Sequence, residues 1–206
     1  MGRREEKKEA TRQEILSAAG ELFRTKGWDA TSVDDIVLAA NLAKGTFYYH
    51  FQAKEDLVMA LQEAELAKAN ANARQKLAKG QKPLKVLFDF LAEAAHWTET
   101  NPDLMRNLFK HKIAQFQQSA DKDEGRMLGP PPAFKIHFFN LILELLEQAQ
   151  KAGEIRSDVP PGELARIVIS VVMSARMSWL RDEEGSLTDR INRSIQVLLE
   201  GLGAKS

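Results

Sequence analysis

The chain has 206 residues, 44% hydrophobic and 28% charged, enough to bury a sizeable core without covalent staples. It has no cysteine, which excludes disulfides and thiolate metal sites and points to a reducing, cytoplasmic compartment. With 29 basic and 29 acidic residues it carries no net charge, so any nucleic-acid binding must rest on local placement of charge rather than on a basic excess.

The start, Met1 to Lys8, is charged with no apolar run behind it, so it does not read as a signal peptide. Five cations fall in the first twelve residues. Ile15, Ala19, Leu22 and Phe23 then make an apolar stripe at helical spacing that stops near Lys26-Gly27. Ser32 is placed to cap the next helix, with Val33, Ile36 and Val37 inward and Asp34 and Asp35 in the favourable first turn. Ala39 to Leu42 reads as a tight turn in which Asn41 takes the left-handed conformation. A short helix follows over Ala43 to Tyr49, and Lys54-Glu55-Asp56 opens a long one through Leu57, Leu61 and Ala64 to about Lys79.

Gly80 to Pro83 is a break. Leu84, Leu87, Phe88, Leu91 and Ala95 mark a helix ending near Thr100, and Pro102 starts another with Leu104, Leu108 and Phe109 inward. Asp121 to Pro132 reads as a loop. Phe138, Leu141, Ile142, Leu145 and Ala149 mark a helix stopped at Gly153. After Pro160-Pro161-Gly162 comes a stripe of Leu164, Ile167, Val168, Val171, Val172, Ala175 and Trp179. Gly185-Ser186 caps a last helix carrying Ile191, Ile195, Leu198, Leu199 and Leu202. No strand pattern, repeat or low-complexity tract interrupts this order. The fold class is therefore all-α with about nine helices. The strongly apolar run Ile167 to Ala175 spans nine residues, too few to cross a bilayer.

The stretch Lys44-Gly45-Thr46-Phe47-Tyr48-Tyr49-His50-Phe51 carries the most chemistry. It holds a cation, a hydroxyl, two phenols and an imidazole in about two turns, and no acid lies between Asp35 and Glu55. Such a surface suits phosphates and base edges. Phe47 and Phe51, four apart, pin one side of the short helix to a core while the other side faces out. Residues 32–51 thus have the order of a helix-turn-helix whose second helix enters a DNA major groove.

These residues resemble the tetracycline-repressor (TetR) family of bacterial regulators. The resemblance lies in Ile15-Leu16-x-Ala18-Ala19-x-x-Leu22-Phe23, in Gly27-Trp28-x-Ala30-Thr31-Ser32-Val33-x-x-Ile36, and in Lys44 to Phe51 followed by Lys54 and Leu57. It covers about fifty residues; the rest matches in outline, as a helical body. The turn Ala152-Gly153-Glu154-Ile155-Arg156-x-Asp158 is similar to one that many members have before their last two helices. The family usually has Gly at position 41 and a small hydroxyl residue at 43. Here Asn41 can take the same turn conformation, but Ala43 cannot cap a helix by side chain.

The resemblance implies a helix-turn-helix DNA-binding domain over residues 1–53 and a helical-bundle ligand-binding and dimerisation domain over 54–206. Lys44, Thr46 and Tyr48 would meet base edges or nearby phosphates. Tyr49, His50 and Lys54 would contact phosphates, Ser32 and the N-terminus of its helix would offer N–H groups to another, and Gly45 would let the backbone approach DNA. Thr31 either supports the start of that helix or joins the contact. The partners implied are a double-stranded DNA operator, a small-molecule effector and a second copy of the chain.

For the homodimer, the apolar stripes of the last two helices supply Val168, Val171, Val172 and Ala175, then Ile191, Ile195, Leu198 and Leu199. The same stripes would equally serve to bury these helices within one chain. For the effector, the middle helices are rich in aromatic residues. Candidate pocket residues are Phe88, His96, Trp97, Met105 and Phe109, with His111, Phe116, Phe138, Met173 and Met177. No buried-looking cation or acid stands out, so the effector is expected to be mainly apolar or aromatic.

The rival classes are an enzyme and a helical protein-binding adaptor. A carboxylate-bridged metal bundle needs two Glu-x-x-His pairs, and the chain offers Glu93-Ala94-Ala95-His96 alone. No phosphate-cradling glycine loop, zinc-protease motif or nucleophile elbow is present. The chain is read as no enzyme, with no cofactor and no metal. An adaptor would not need an acid-free surface from Lys44 to Lys54. The reading that remains is a dimeric, ligand-responsive transcriptional regulator, by family habit a repressor.

Overall fold

A computed structural model describes residues 2–110 and 132–201, with the backbone alone over 132–137. The expected loop 121–131, and the side chains of His111, Phe116 and Leu202, lie outside the described residues. Nine helices make up the described chain. They are α1 (Arg3–Lys26), α2 (Val33–Ala39), α3 (Lys44–His50), α4 (Lys54–Ala78), α5 (Pro83–Thr100), α6 (102–110), α7 (Pro132–Lys151), α8 (Pro161–Asp182) and α9 (Leu187–Glu200).

The punctuation follows the residues. Gly27 ends α1 with φ 81° while its N–H returns to the Phe23 carbonyl, a conformation that glycine adopts without strain. Asn41 has φ 54° in the turn between α2 and α3, which leaves the Leu42 N–H free to reach the Val37 carbonyl at 2.9 Å. Ser186 caps α9 by accepting from the Asp189 N–H. Ala43 precedes α3 with no side-chain cap. The early cations turn out to be helical, because α1 begins at Arg3, well before its apolar stripe.

The contacts divide the chain into two compact units, residues 1–64 with 103–124 and residues 65–102 with 125–206. The first unit takes in the opening turns of α4, so the domain edge falls inside a continuous helix rather than at residue 53. In this unit α1 packs on α2, and α2 on α3. Ile15, Ala19, Ile36, Phe47 and Leu57 are fully buried there.

In the second unit α5 packs on α7 and α9, and α8 packs on α7 and α9. These four helices close a ring, a bundle in which α8 stands opposite α5. Phe90, Leu91, Leu141, Ile142, Leu145 and Leu146 fill it, and the rings of Phe90 and Phe138 lie 5.4 Å apart. Phe90, rather than Phe88, is the α5 phenylalanine in the core.

Polar ties fix the ends of the bundle. The Glu154 carboxylate accepts from the Leu84 N–H at 2.8 Å and caps α5. Glu99 at the end of α5 accepts from Ser186 Oγ and from the Thr188 N–H, capping α9. The turn around Gly153 thus serves α5 through Glu154, while Arg156 grips Asp158 at 2.7 Å. Among the described residues no helix is long and apolar enough to cross a membrane.

Candidate nucleic-acid interface

Helix α3 is held from below and open above. Phe47 is fully buried and Phe51 nearly so, their rings 5.9 Å apart. Tyr48 and Tyr49 stand 52% and 67% exposed, so both phenols are open to a partner from outside. Lys44, Gly45 and Thr46 complete the outward face, with Thr46 half-buried. A Cβ placed on Gly45 would meet nothing within 4 Å, so nothing inside the unit requires a glycine there. A close approach from outside would.

The N-terminal turns of α1 lie beside this face. Arg4, Lys7, Lys8 and Thr11 share a groove of about 360 Å³ with Thr46, Tyr49 and His50, and Glu5 is its one acid. The Lys8 ammonium sits 5.6 Å from the centre of the Tyr49 ring, and the Arg12 guanidinium 5.3 Å from that of Phe51. Burial, then the charges of Lys8 and Arg12, hold the His50 pKa below its ordinary value. His50 is therefore mostly neutral at neutral pH, and the positive charge beside it comes from α1. The run of early cations was visible in the sequence. That it is helical and flanks α3 was not, since no apolar period extends above Thr11.

Lys44 is paired with Asp34 of α2 at 2.8 Å, a contact that raises its pKa and keeps it charged. Both partners are exposed, so the pair is weak in water and easily exchanged for a phosphate. Ser32 is committed to its helix. Its Oγ accepts from the Asp35 N–H and donates to Asp35 Oδ2, which also accepts from the Ser32 N–H. These bonds, with Lys26 nearby, hold the Asp35 pKa at about 2. Ser32 thus acts by building the start of α2.

Two further residues are tied to the loop between α1 and α2. The Lys54 ammonium is tied to the loop before α2. It donates to the Trp28 and Thr31 carbonyls at 2.7 and 2.8 Å and lies 4.1 Å from the centre of the Trp28 ring. Burial lowers its pKa. Lys54 is a clamp on the α1–α2 loop, with two of its three N–H donors spent there, and so helps to position Ser32. Thr31 is 1% exposed and donates to the Gly27 carbonyl at 2.7 Å, so it supports the loop and offers no group to DNA.

The bundle unit distributes its predicted residues unevenly. Phe88, Trp97 and Met173 are half-buried and Phe138 is in the core. His96 and Met177 are exposed and so do not line an interior. In the first unit Met105 is buried and Phe109 half-buried. The dimer expectation is corrected for five residues. Val168, Val172, Ala175, Ile191 and Ile195 are buried within the chain itself and have no surface left for a partner. Val171 and Leu198 are half-buried, and Leu199 is exposed, as are Ile167 and Val197.

One bundle residue escaped the sequence reading. Arg176 is 3% exposed, and its Nε has no hydrogen-bond partner among the described residues. Burial alone pushes its pKa down to about 10, so it is still charged at neutral pH. The available signal was its place one turn from Val172 and one turn from Leu180, on the apolar side of α8. Among the described residues no group of three His, Asp or Glu is placed to hold a metal ion.

A capped helix, a tight turn and an aromatic helix with one pinned and one open side define a helix-turn-helix DNA-binding protein. Comparison with known proteins narrows the class. Residues 15–61 match the model for bacterial regulatory proteins of the tetR family, and residues 82–204 match that for the C-terminal domain of SbtR-like transcriptional regulators. The regulator AcrR of Shigella flexneri is 33% identical over 188 residues, spanning 87% of this chain and 81% of its own. The repressor KstR2 of Rhodococcus jostii is 25% identical over 201 residues, spanning 96% and 93%. Among solved structures, FadR of Thermus thermophilus, in complex with lauroyl-CoA, is similar with a TM-score of 0.70 at 24% identity, covering 95% of this chain and 96% of that one. FadR of Bacillus subtilis, in complex with stearoyl-CoA, has a TM-score of 0.61 at 18% identity, covering 93% and 99%. The chain belongs to the TetR family: it is a DNA-binding transcriptional regulator and not an enzyme.

Proposed function

We propose that the protein is a dimeric repressor that reads a near-palindromic operator through Lys44 to Phe51 and is released by a small molecule bound in its bundle unit. The observation that carries the operator reading is the outward face of α3. Lys44, Gly45, Thr46, Tyr48 and Tyr49 face out from a helix anchored by Phe47, beside the cations of α1. Lys44 and Tyr48 contact base edges, Thr46 a base or phosphate, and Tyr49 and His50 the backbone. Arg4, Lys7 and Lys8 add charge along the adjoining strand.

Dimerisation supplies what one such head lacks. A single helix with few cations binds DNA weakly, and two heads about 34–36 Å apart engage successive major grooves of one face. The apolar residues that α8 and α9 leave outside, Ile167, Val197 and Leu199, fit a helix-on-helix contact with a second copy. The effector reading rests on family membership and on the half-buried Phe88, Trp97 and Met173. Ligand and operator are then coupled by about 1–3 kcal/mol, the usual range for linked sites.

Fluorescence anisotropy with duplex DNA from upstream of the protein's own gene, across a salt series, tests the operator reading. Binding that weakens steeply with salt and is lost in Tyr48→Ala, with the thermal melt unchanged, supports it. Equal, weak binding of wild type and variant to the upstream and scrambled duplexes overturns it.

A further inference from the structure

Arg176 is the feature of the bundle that folding does not explain. A side chain on the apolar side of α8, one turn from the buried Val172 and one turn from the buried Leu180, would ordinarily be aliphatic. An isolated buried charge is among the most unfavourable groups a core can hold unless it is paired. Two other buried atoms, Thr98 Oγ1 on α5 and Asn192 Oδ1 on α9, also lack partners among the described residues. They are neutral, and an unmet neutral group is far less costly than an unmet cation.

Six carboxylates around the bundle are committed elsewhere. Glu99 caps α9, Glu154 caps α5, Glu144 pairs with Arg74, and Asp182 pairs with Arg190. On α5, Asp89 and Glu93 share Lys76. No acid of these is left to serve Arg176.

We infer that Arg176 anchors the acidic head of the effector, and that this effector is an amphiphile with a carboxylate or phosphate group on an apolar body. The inference rests on the ligand-responsive reading above and deepens it. A planar guanidinium with several N–H donors suits both oxyanions, and the apolar neighbours along α8 exclude a ligand that is polar throughout. A bound oxyanion would give the buried Nε–H an acceptor that no described residue supplies.

The test uses the full-length protein, wild type, Arg176→Met and Arg176→Lys, stripped of lipid, with dodecanoate, dodecyl phosphate and dodecan-1-ol as probes. The three probes share one body and differ in the head. Thermal melts without probe come first. Arg176→Met should melt at or above the wild-type temperature, because a buried charge with an unmet donor has been replaced by an apolar chain. Calorimetric titration then reads the heads. Either or both anions should bind wild type about tenfold or more tighter than the alcohol, a preference lost in Arg176→Met and partly kept in Arg176→Lys. A carboxylate preference over phosphate, or the reverse, assigns the head.

A markedly lower melting temperature for Arg176→Met would make Arg176 a structural residue and overturn the inference. So would anions that bind no tighter than the alcohol, or equally to wild type and Arg176→Met. Wild-type binding to the upstream duplex is followed in parallel. Operator binding without any anion preference sinks this inference alone, whereas absence of operator binding sinks the regulator reading and leaves the melts to decide on Arg176.

Discussion

Two lysines ten residues apart, Lys44 and Lys54, look interchangeable as phosphate contacts in the sequence, and the fold gives them opposite work. Lys44 meets only an exposed carboxylate that water and salt compete for. Lys54 satisfies two loop carbonyls over an indole ring. Lys44→Ala should therefore reduce the salt dependence of operator binding by about one charge and leave the melting temperature nearly unchanged. Lys54→Ala should lower the melting temperature and leave the salt slope of the remaining binding intact, since carbonyls turned away from water lose their partner. Anisotropy salt series and thermal melts on the two variants separate these roles, and a reduced slope in Lys54→Ala would restore it as a phosphate contact. The burial of Phe47 and Phe51 was legible from their spacing. The fate of Lys54 was not, because a long side chain can reach either way from one backbone position.

At the scale of the element, α2 has only seven residues, too short to hold on propensity. It depends on packing of Ile36 and Val37 and on the reciprocal cap between Ser32 and Asp35. That cap requires the ionised carboxylate. The folded pKa of Asp35, about 2 against an ordinary 3.8, is depressed, so its contribution is complete above pH 3.8 and is lost as pH falls toward 2. In an NMR titration the Ser32 amide should keep its shift down to pH 4 and move with a midpoint near 2, and that movement should be absent in Asp35→Asn. A midpoint near the ordinary aspartate value would mean that the cap does not form in solution. The limits of most helices were readable because caps, glycines and prolines act within a few residues. The exceptions are instructive. The start of α1 carries no apolar period, and on α5 the choice of Phe90 over Phe88 for the core depends on where α7 and α9 lie.

For the whole molecule, the question is what α8 and α9 leave uncovered once their stripes are spent on the ring with α5 and α7. The remaining apolar surface includes Ile167, Met177, Val197 and Leu199, 37%, 42%, 45% and 39% exposed. An Ile167→Asp, Val197→Asp double variant should sediment as a monomer at concentrations where wild type is a dimer. Its operator affinity should fall by tenfold or more, because one head alone cannot span both half-sites. Like charges set against each other across a two-fold axis would enforce this without touching the protomer core. An unchanged dimer would place the interface elsewhere on the bundle.

The amino-acid order by itself determined the helical class, the position of nearly every helix, the capped helix and tight turn, and the aromatic recognition helix with its family. The helices, caps and turn depend on periodicity and on side-chain-to-backbone bonds between close neighbours, and the family on the resemblance of the quoted residues. Only the tertiary structure decided which cations are spent on the chain itself, which stripe residues face the chain's own core, where along α4 one unit gives way to the next, and that Arg176 is enclosed with its Nε–H unmet among the described residues. Each of those is a question of which partner arrives from a distant part of the chain, and spacing along a helix carries no record of it.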